Sequence, residues 1–158
     1  MQGLLRRAEQ VGRRLRARGE TVAVAESSAG GLIAAALLAQ PGASAFFLGG
    51  VVVYTRSARE ALLGITTAET TGLRSASEPY AALLAQRLRE RLGATWGLAE
   101  TGAAGPTGNS YGDSPGHSCL AVAGPTGVVR TLETGSADRF ENMQAFADAA
   151  LALLAEML

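Results

Sequence analysis

The sequence predicts an α/β protein, one sheet with helices packed on both of its faces. Three observations carry this expectation. The segment patterns run in the order α-β-α-β-α-α-β-β-β-α. Val22, Ala23, Val24 and Ala25 form an apolar run without alternation, as in a strand covered on both sides. Gly19, Gly64 and Gly93, with the Pro41-Gly42 pair, stop the helical patterns. A length of 158 residues suits one domain, residues 1–158, around a single core. No internal repeat or linker composition divides it.

Residues 2–18 read as an amphipathic helix with Leu4, Ala8, Val11 and Leu15 on one face. Its arginines decorate the other faces as solvated charge, without aromatic interleaving. The first strand, 21–25, runs into Glu26, Ser27 and Ser28, then a small-residue helix over 29–39. Residues 45–55 read as a second strand, with Gly49 and Gly50 marking a bend or bulge. Tyr54 stands at its polar exit, and Arg56 and Arg59 follow on a short helix. Residues 66–76 are loop-like, and Ser77 caps a helix with Pro79 in its first turn. Ala81, Leu84, Leu88 and Leu92 mark that helix's apolar face. Residues 95–100 form a third strand, followed by an irregular stretch, 101–117, rich in glycine and small residues. Strands over 118–124 and 127–134 meet at a Gly124-Pro125-Thr126-Gly127 turn. The last helix starts near Asp138, with Met143, Phe146, Ala150, Leu154 and Met157 facing inward.

Composition narrows the function classes. Hydrophobic residues make 47% of the chain, charged residues 18%, and the formal net charge is zero. That balance argues against nucleic acid or an anionic membrane surface as a partner. All basic residues other than His117 are arginines, which removes Schiff-base and lysine-base chemistry. A lone Cys119 in an apolar run reads as an inert buried thiol and fits a cytoplasmic location. With one histidine, a Cys/His zinc site is not expected. There is no secretory pattern and no apolar run of membrane-spanning length.

Chemistry is expected at the first strand's carboxyl end, where α/β folds place it. Glu26, Ser27 and Ser28 offer a carboxylate and two hydroxyls, although Ser27 and Ser28 also suit helix capping. Gly30 and Gly31 permit close approach, and amides at Ser28 to Gly30 are candidate oxyanion donors. Tyr54 beside arginines suits an anion site, or equally an amphipathic residue at a core edge. The 101–108 stretch lacks the GK[ST] ending of a phosphate-binding P-loop.

Taken together, these residues resemble the CinA C-terminal domain, the nicotinamide-nucleotide amidohydrolase family. The family's E-S-C-T-G-G is similar to Glu26-Ser27-Ser28-Ala29-Gly30-Gly31. Its F-x-x-G-x-V-x-Y-x-x-x-A-K resembles residues 47–54 continuing to Ala58-Arg59. Its V-S-E-P resembles Ala76-Ser77-Glu78-Pro79, and its T-G-I-A-G-P-x-G resembles residues 101–108. Its G-D-R resembles Ala137-Asp138-Arg139. The matches run in order along nearly the whole chain.

The resemblance implies a three-layer α/β/α sandwich with a single mixed sheet, in a homodimer or higher oligomer. It implies metal- and cofactor-independent deamidation of nicotinamide mononucleotide, a small-molecule nucleotide, to nicotinic acid mononucleotide. It places the nucleophile at Ser27, with Tyr54 and Arg59 as its catalytic companions. Glu26, Ser28, Gly30, Gly31, Thr101, Gly102, Ala104 and Gly105 then surround the substrate, and Arg139 meets its phosphate. The departures are chemical. Arg59 replaces a family lysine and is no general base, and Ala29 replaces a threonine. His117, whose pKa lies naturally near neutrality, is a speculative base. The alternative is a family member with altered or lost chemistry that binds a nucleotide or serves as a structural partner.

Overall fold

The computed structural model describes residues 1–158. Five strands form one mixed sheet in the order β2-β1-β3-β4-β5. They are β1 (Val22–Glu26), β2 (Phe47–Val52), β3 (Trp96–Ala103), β4 (His117–Ala123) and β5 (Val128–Glu133). β1 runs parallel to β2 and β3, whereas β3–β4 and β4–β5 pair antiparallel. The helices are α1 (Gln2–Arg18), α2 (Leu32–Leu38), α3 (Arg56–Leu63), α4 (Glu78–Leu92) and α5 (Arg139–Met157).

Side-chain alternation along β1 explains its unbroken apolar run. Val22 and Val24 enter one core, with α1, α2 and α5, which also holds Phe46, Trp96 and Phe146. Ala23 and Ala25 enter the other, where Leu63, Tyr80, Leu84 and Leu88 cover the sheet from α3 and α4. The result is the three-layer sandwich with helices on both faces. Each of the largest fully buried side chains contributes about 1.5–3 kcal/mol of burial free energy.

The caps at Gly19 and Ser77 follow the sequence signals, and the structure adds one at Thr55. Gly19 ends α1 in the left-handed region. Thr55, Ser77 and Asp138 each accept an amide of the first turn of α3, α4 and α5. A register shift between Val22 and Ala23, opposite Phe47 and Gly49, puts a bulge at Leu48, while Gly49 and Gly50, expected to mark it, pair in register.

Four expectations change. β2 covers only Phe47–Val52 of the expected 45–55, because a 3-10 turn over Ala43–Ala45 precedes it and Thr55 already caps α3. α2 begins at Leu32, because residues 28–31 form the turn that delivers it. β3 reaches Ala103, since Thr101, Gly102 and Ala103 pair with Cys119, Ser118 and His117. A glycine-rich run thus reads as loop, yet it lies flat in a ladder. Leu92 is exposed, as the last residue of α4 beyond the packed face.

Candidate active site

β1 ends in Ala25-Glu26, and Ala99-Glu100 stand beside it in β3, which runs on to Ala103. By parity Glu26 follows Val22 and Val24, and Glu100 follows Trp96 and Leu98, so both carboxylates enter the face covered by α2. Glu26 caps that helix. Its Oε1 accepts the amides of Gly31 at 3.1 Å and Ile33 at 2.9 Å, and Oε2 accepts that of Ala34 at 2.9 Å. It is buried and lines no cleft, so its expected place in the substrate's surroundings is corrected. The α2 N-terminus consumes it.

Glu100 holds the turn itself. Its Oε2 accepts the amides of Ser27 at 3.1 Å and Ala29 at 2.8 Å. Its Oε1 accepts the hydroxyl of Ser28 and, at 3.2 Å, that of Ser118. Glu100 is wholly buried. In the sequence Glu100 reads only as the end of a strand over 95–100. The available signal was its parity with Trp96 and Leu98, which points a carboxylate into the core, where burial demands donors. Burial pushes the Glu100 pKa up, and its four donors oppose that shift.

The turn also revises the oxyanion donors. Ala29 gives its amide to Glu100, Gly30 gives its own to the Ser27 carbonyl at 3.2 Å, and Gly31 donates to Glu26. Only the Ser28 amide in this turn has no acceptor within the protein. Gly30 and Gly31 hold φ of 67° and 99°, which shape the turn.

Ser27 is half-buried and lines a cleft of about 440 Å³ together with Tyr54, Arg59, Thr101 and Gly102. Its hydroxyl makes no hydrogen bond within the protein. A second, smaller cleft adjoins, lined by Ser28, Ala104, Gly105 and Arg139. Tyr54, Gly102 and Asn109 border both. Arg139 bridges the two sides of this mouth, donating to the Gly105 carbonyl at 2.5 Å and to Tyr54 Oη at 3.1 Å. The structure therefore brings together Ser27, Ser28, Tyr54, Arg59, Thr101, Gly102, Ala104, Gly105 and Arg139 around two joined clefts.

His117 does not join them. It starts β4 on the face opposite Glu100, buried behind Ala76, and lines neither cleft. Its Nδ1 meets Glu133 Oε1 at 2.5 Å and its Nε2 meets the Ala76 carbonyl at 2.8 Å. Burial lowers its pKa, but Glu133, Ala76 and Asp113 outweigh that and raise it. With both ring nitrogens engaged, His117 secures the wall at Ala76, and its expectation as a base is corrected. Cys119 is buried, and burial pushes its thiol pKa up, as suits an inert thiol. No helix is long and apolar enough to cross a membrane.

One pH dependence follows from Glu26. Burial, aided by the Glu100 charge and opposed by three amide donors, raises its pKa from 4.5 to about 7. A carboxyl with a raised folded-state pKa brings stability that is complete below the unfolded value and is lost as pH rises through the folded one. At ~1.4 kcal/mol per pH unit, Glu26 takes about 3 kcal/mol from stability across that interval. Urea midpoints between pH ~4.5 and ~7.5 are expected to fall more steeply for the native protein than for Glu26→Gln. Parallel curves would contradict this assignment.

A mixed five-stranded sheet between two helical layers, with a hydroxyl-bearing turn at a strand end facing a polar cleft, defines an α/β domain of the three-layer class. The family comparison is specific: the CinA C-terminal domain profile matches residues 5–158, and the chain belongs to that family. A CinA-like protein of Prochlorococcus marinus (strain MIT 9313) is 48% identical over 113 residues, 72% of this chain and 26% of the relative. One from Anaeromyxobacter sp. (strain K) is 43% identical over 140 residues, 87% of this chain and 34% of the relative. The chain thus spans about a third or less of these relatives.

Among solved structures, the competence/damage inducible protein CihA from Agrobacterium tumefaciens superposes with a TM-score of 0.91 at 30% identity. That match covers 98% of this chain and 95% of the other. A competence-damaged protein (CinA) superfamily protein from Escherichia coli also gives 0.91, at 26% identity, covering 98% and 90%.

Proposed function

We propose that this domain is a metal-independent amidohydrolase acting on the carboxamide of nicotinamide mononucleotide. The observation that carries the reading is the Ser27 hydroxyl, unspent inside the protein and set in the cleft with Tyr54 and a guanidinium. Family membership supports it. In this reading Ser27 Oγ attacks the carboxamide carbon. Its proton passes to the Tyr54 hydroxyl while Tyr54 gives its own to the amide nitrogen. Ammonia leaves and an ester remains on Ser27. Water then splits the ester: one of its protons returns to Ser27 Oγ, and the other leaves to the released ammonia as the carboxylate forms. Arg139, accepted by Tyr54 Oη, orients the phenol so that its proton faces the cleft. The Ser28 amide is the remaining backbone donor for the developing oxyanion.

A second reading, binding of a nucleotide without turnover, has its own observation. No lysine, histidine, aspartate or glutamate lines either cleft, so no ordinary general base faces Ser27. Ammonia release from nicotinamide mononucleotide by the purified protein separates the two. Ammonia and nicotinic acid mononucleotide in equal amounts are expected. Binding by calorimetry with no ammonia would overturn the enzyme reading in favour of the second.

A further inference from the structure

Arg59 is the one side chain whose buried polar atom is left without a partner: its Nε has no hydrogen-bond acceptor in the protein. The residue is 7% exposed, yet it lines the larger cleft. Its Nη2 donates to Thr70 Oγ1 at 3.1 Å, and its guanidinium carbon stands 5.5 Å from the centre of the Tyr80 ring. No carboxylate pairs with it, and none lines the cleft.

This is an unusual state for a guanidinium. Arginine stays charged at every physiological pH. Burying a charge without a counter-charge is strongly unfavourable, and an unsatisfied N–H adds to the cost. The ring face and one threonine offset only part of it. The other arginines engaged in ion pairs have carboxylates on the surface, as with Arg7 and Asp148 or Arg130 and Glu156. The surroundings of Arg59 are instead hydroxyl-rich and cationic: Thr55, Arg56, Thr67 and Thr71 line the same cleft. A guanidinium edge, threonine hydroxyls and a second arginine at the mouth are the donors an oxyanion requires.

We propose that Arg59 forms the floor of an oxyanion seat that takes an acidic group of the ligand, a carboxylate or a phosphate. The seat differs in kind from Arg139, which is exposed and already spent on Gly105 and Tyr54. The ligand therefore carries an acidic group at the inner end of the cleft, whatever it offers to Arg139 at the mouth. The proposal rests on the cleft being a ligand site and not on turnover there.

The probes are inorganic phosphate, nicotinate as the carboxylate, and nicotinamide as its neutral counterpart. Calorimetry is run on the native protein and on Arg59→Gln, Arg59→Lys and Arg139→Gln. At least one anion is expected to bind the native protein, and Arg59→Gln to weaken it by about tenfold or more. Arg59→Lys keeps the charge without the fork and falls between them. Arg139→Gln weakens the anion less than Arg59→Gln does. Nicotinamide does not distinguish native protein from Arg59→Gln. Phosphate binding without nicotinate assigns the seat to a phosphate group, and the converse assigns it to a carboxylate.

Thermal melts in anion-free buffer keep the test independent of folding. Arg59→Gln is expected to melt no lower than the native protein, because it removes an unpaired buried charge. The anion raises the native melting temperature but not that of the variant. Absence of anion binding, or equal binding by Arg59→Gln, overturns the proposal. Ammonia release without anion binding leaves the amidohydrolase reading standing and removes the seat. Anion binding without ammonia release does the reverse.

Discussion

Ser27→Ala is expected to lower ammonia release from nicotinamide mononucleotide by about 10³-fold or more, with the fold intact. The effect is large because the hydroxyl is the only nucleophile at the strand-end turn that is free to move. Ser28 beside it is tied to Glu100, so it is no ready substitute. The stability cost is small. Ser27 Oγ holds nothing in the protein, so unfolding free energy is expected to stay within about 0.5 kcal/mol of the native value. The Ser27 amide still reaches Glu100 in the variant. Ligand affinity therefore persists while turnover is lost, which calorimetry and an ammonia assay on one preparation will show. Residual turnover within a few-fold of native would remove Ser27 from the chemistry.

Glu100→Ala is expected to produce the largest loss of stability among single changes near the site. Two amides and two hydroxyls converge on this carboxylate. Each donor left unsatisfied in the interior costs about 1–3 kcal/mol. Relief from burying a carboxylate offsets part of this, and the four contacts share one residue, so they do not add simply. A net loss on the order of 3 kcal/mol follows. Urea unfolding measures it. Glu100→Gln keeps one acceptor oxygen and is expected to lose less. Turnover falls further than stability alone requires, because the turn that aims Ser27 loses its anchor. If Glu100→Ala unfolds at the native urea concentration, the carboxylate does not hold the turn.

The architecture was legible because its signals are local. The run Val22 to Ala25 lacks alternation because its side chains feed two cores in turn. The cap at Ser77 and the helix start at Asp138 sit where hydroxyl and carboxylate chemistry puts them. The turn at Ser27 was legible for the same reason. What escaped depended on pairing across the sheet. Thr101, Gly102 and Ala103 look like loop in sequence, and only β4 makes them strand. Glu26 and Glu100 follow the same Ala-Glu pattern in neighbouring strands, yet one caps a helix and the other anchors a turn, and their partners lie on separate segments. The role of His117 depends on Ala76 and Glu133, which no spacing in the sequence links to it. Arg59 was visible as a cation beside Tyr54, but its unpartnered Nε is a fact of packing.

The central claim is that Ser27 Oγ attacks a ligand carboxamide. The most direct measurement is rapid acid quenching of the protein with nicotinamide mononucleotide, followed by mass spectrometry of the peptide that contains Ser27. An adduct equal to the mononucleotide less ammonia, on Ser27 and absent from Ser27→Ala, is the predicted result. Ammonia release by Ser27→Ala at the native rate, or an adduct on another residue, would contradict it.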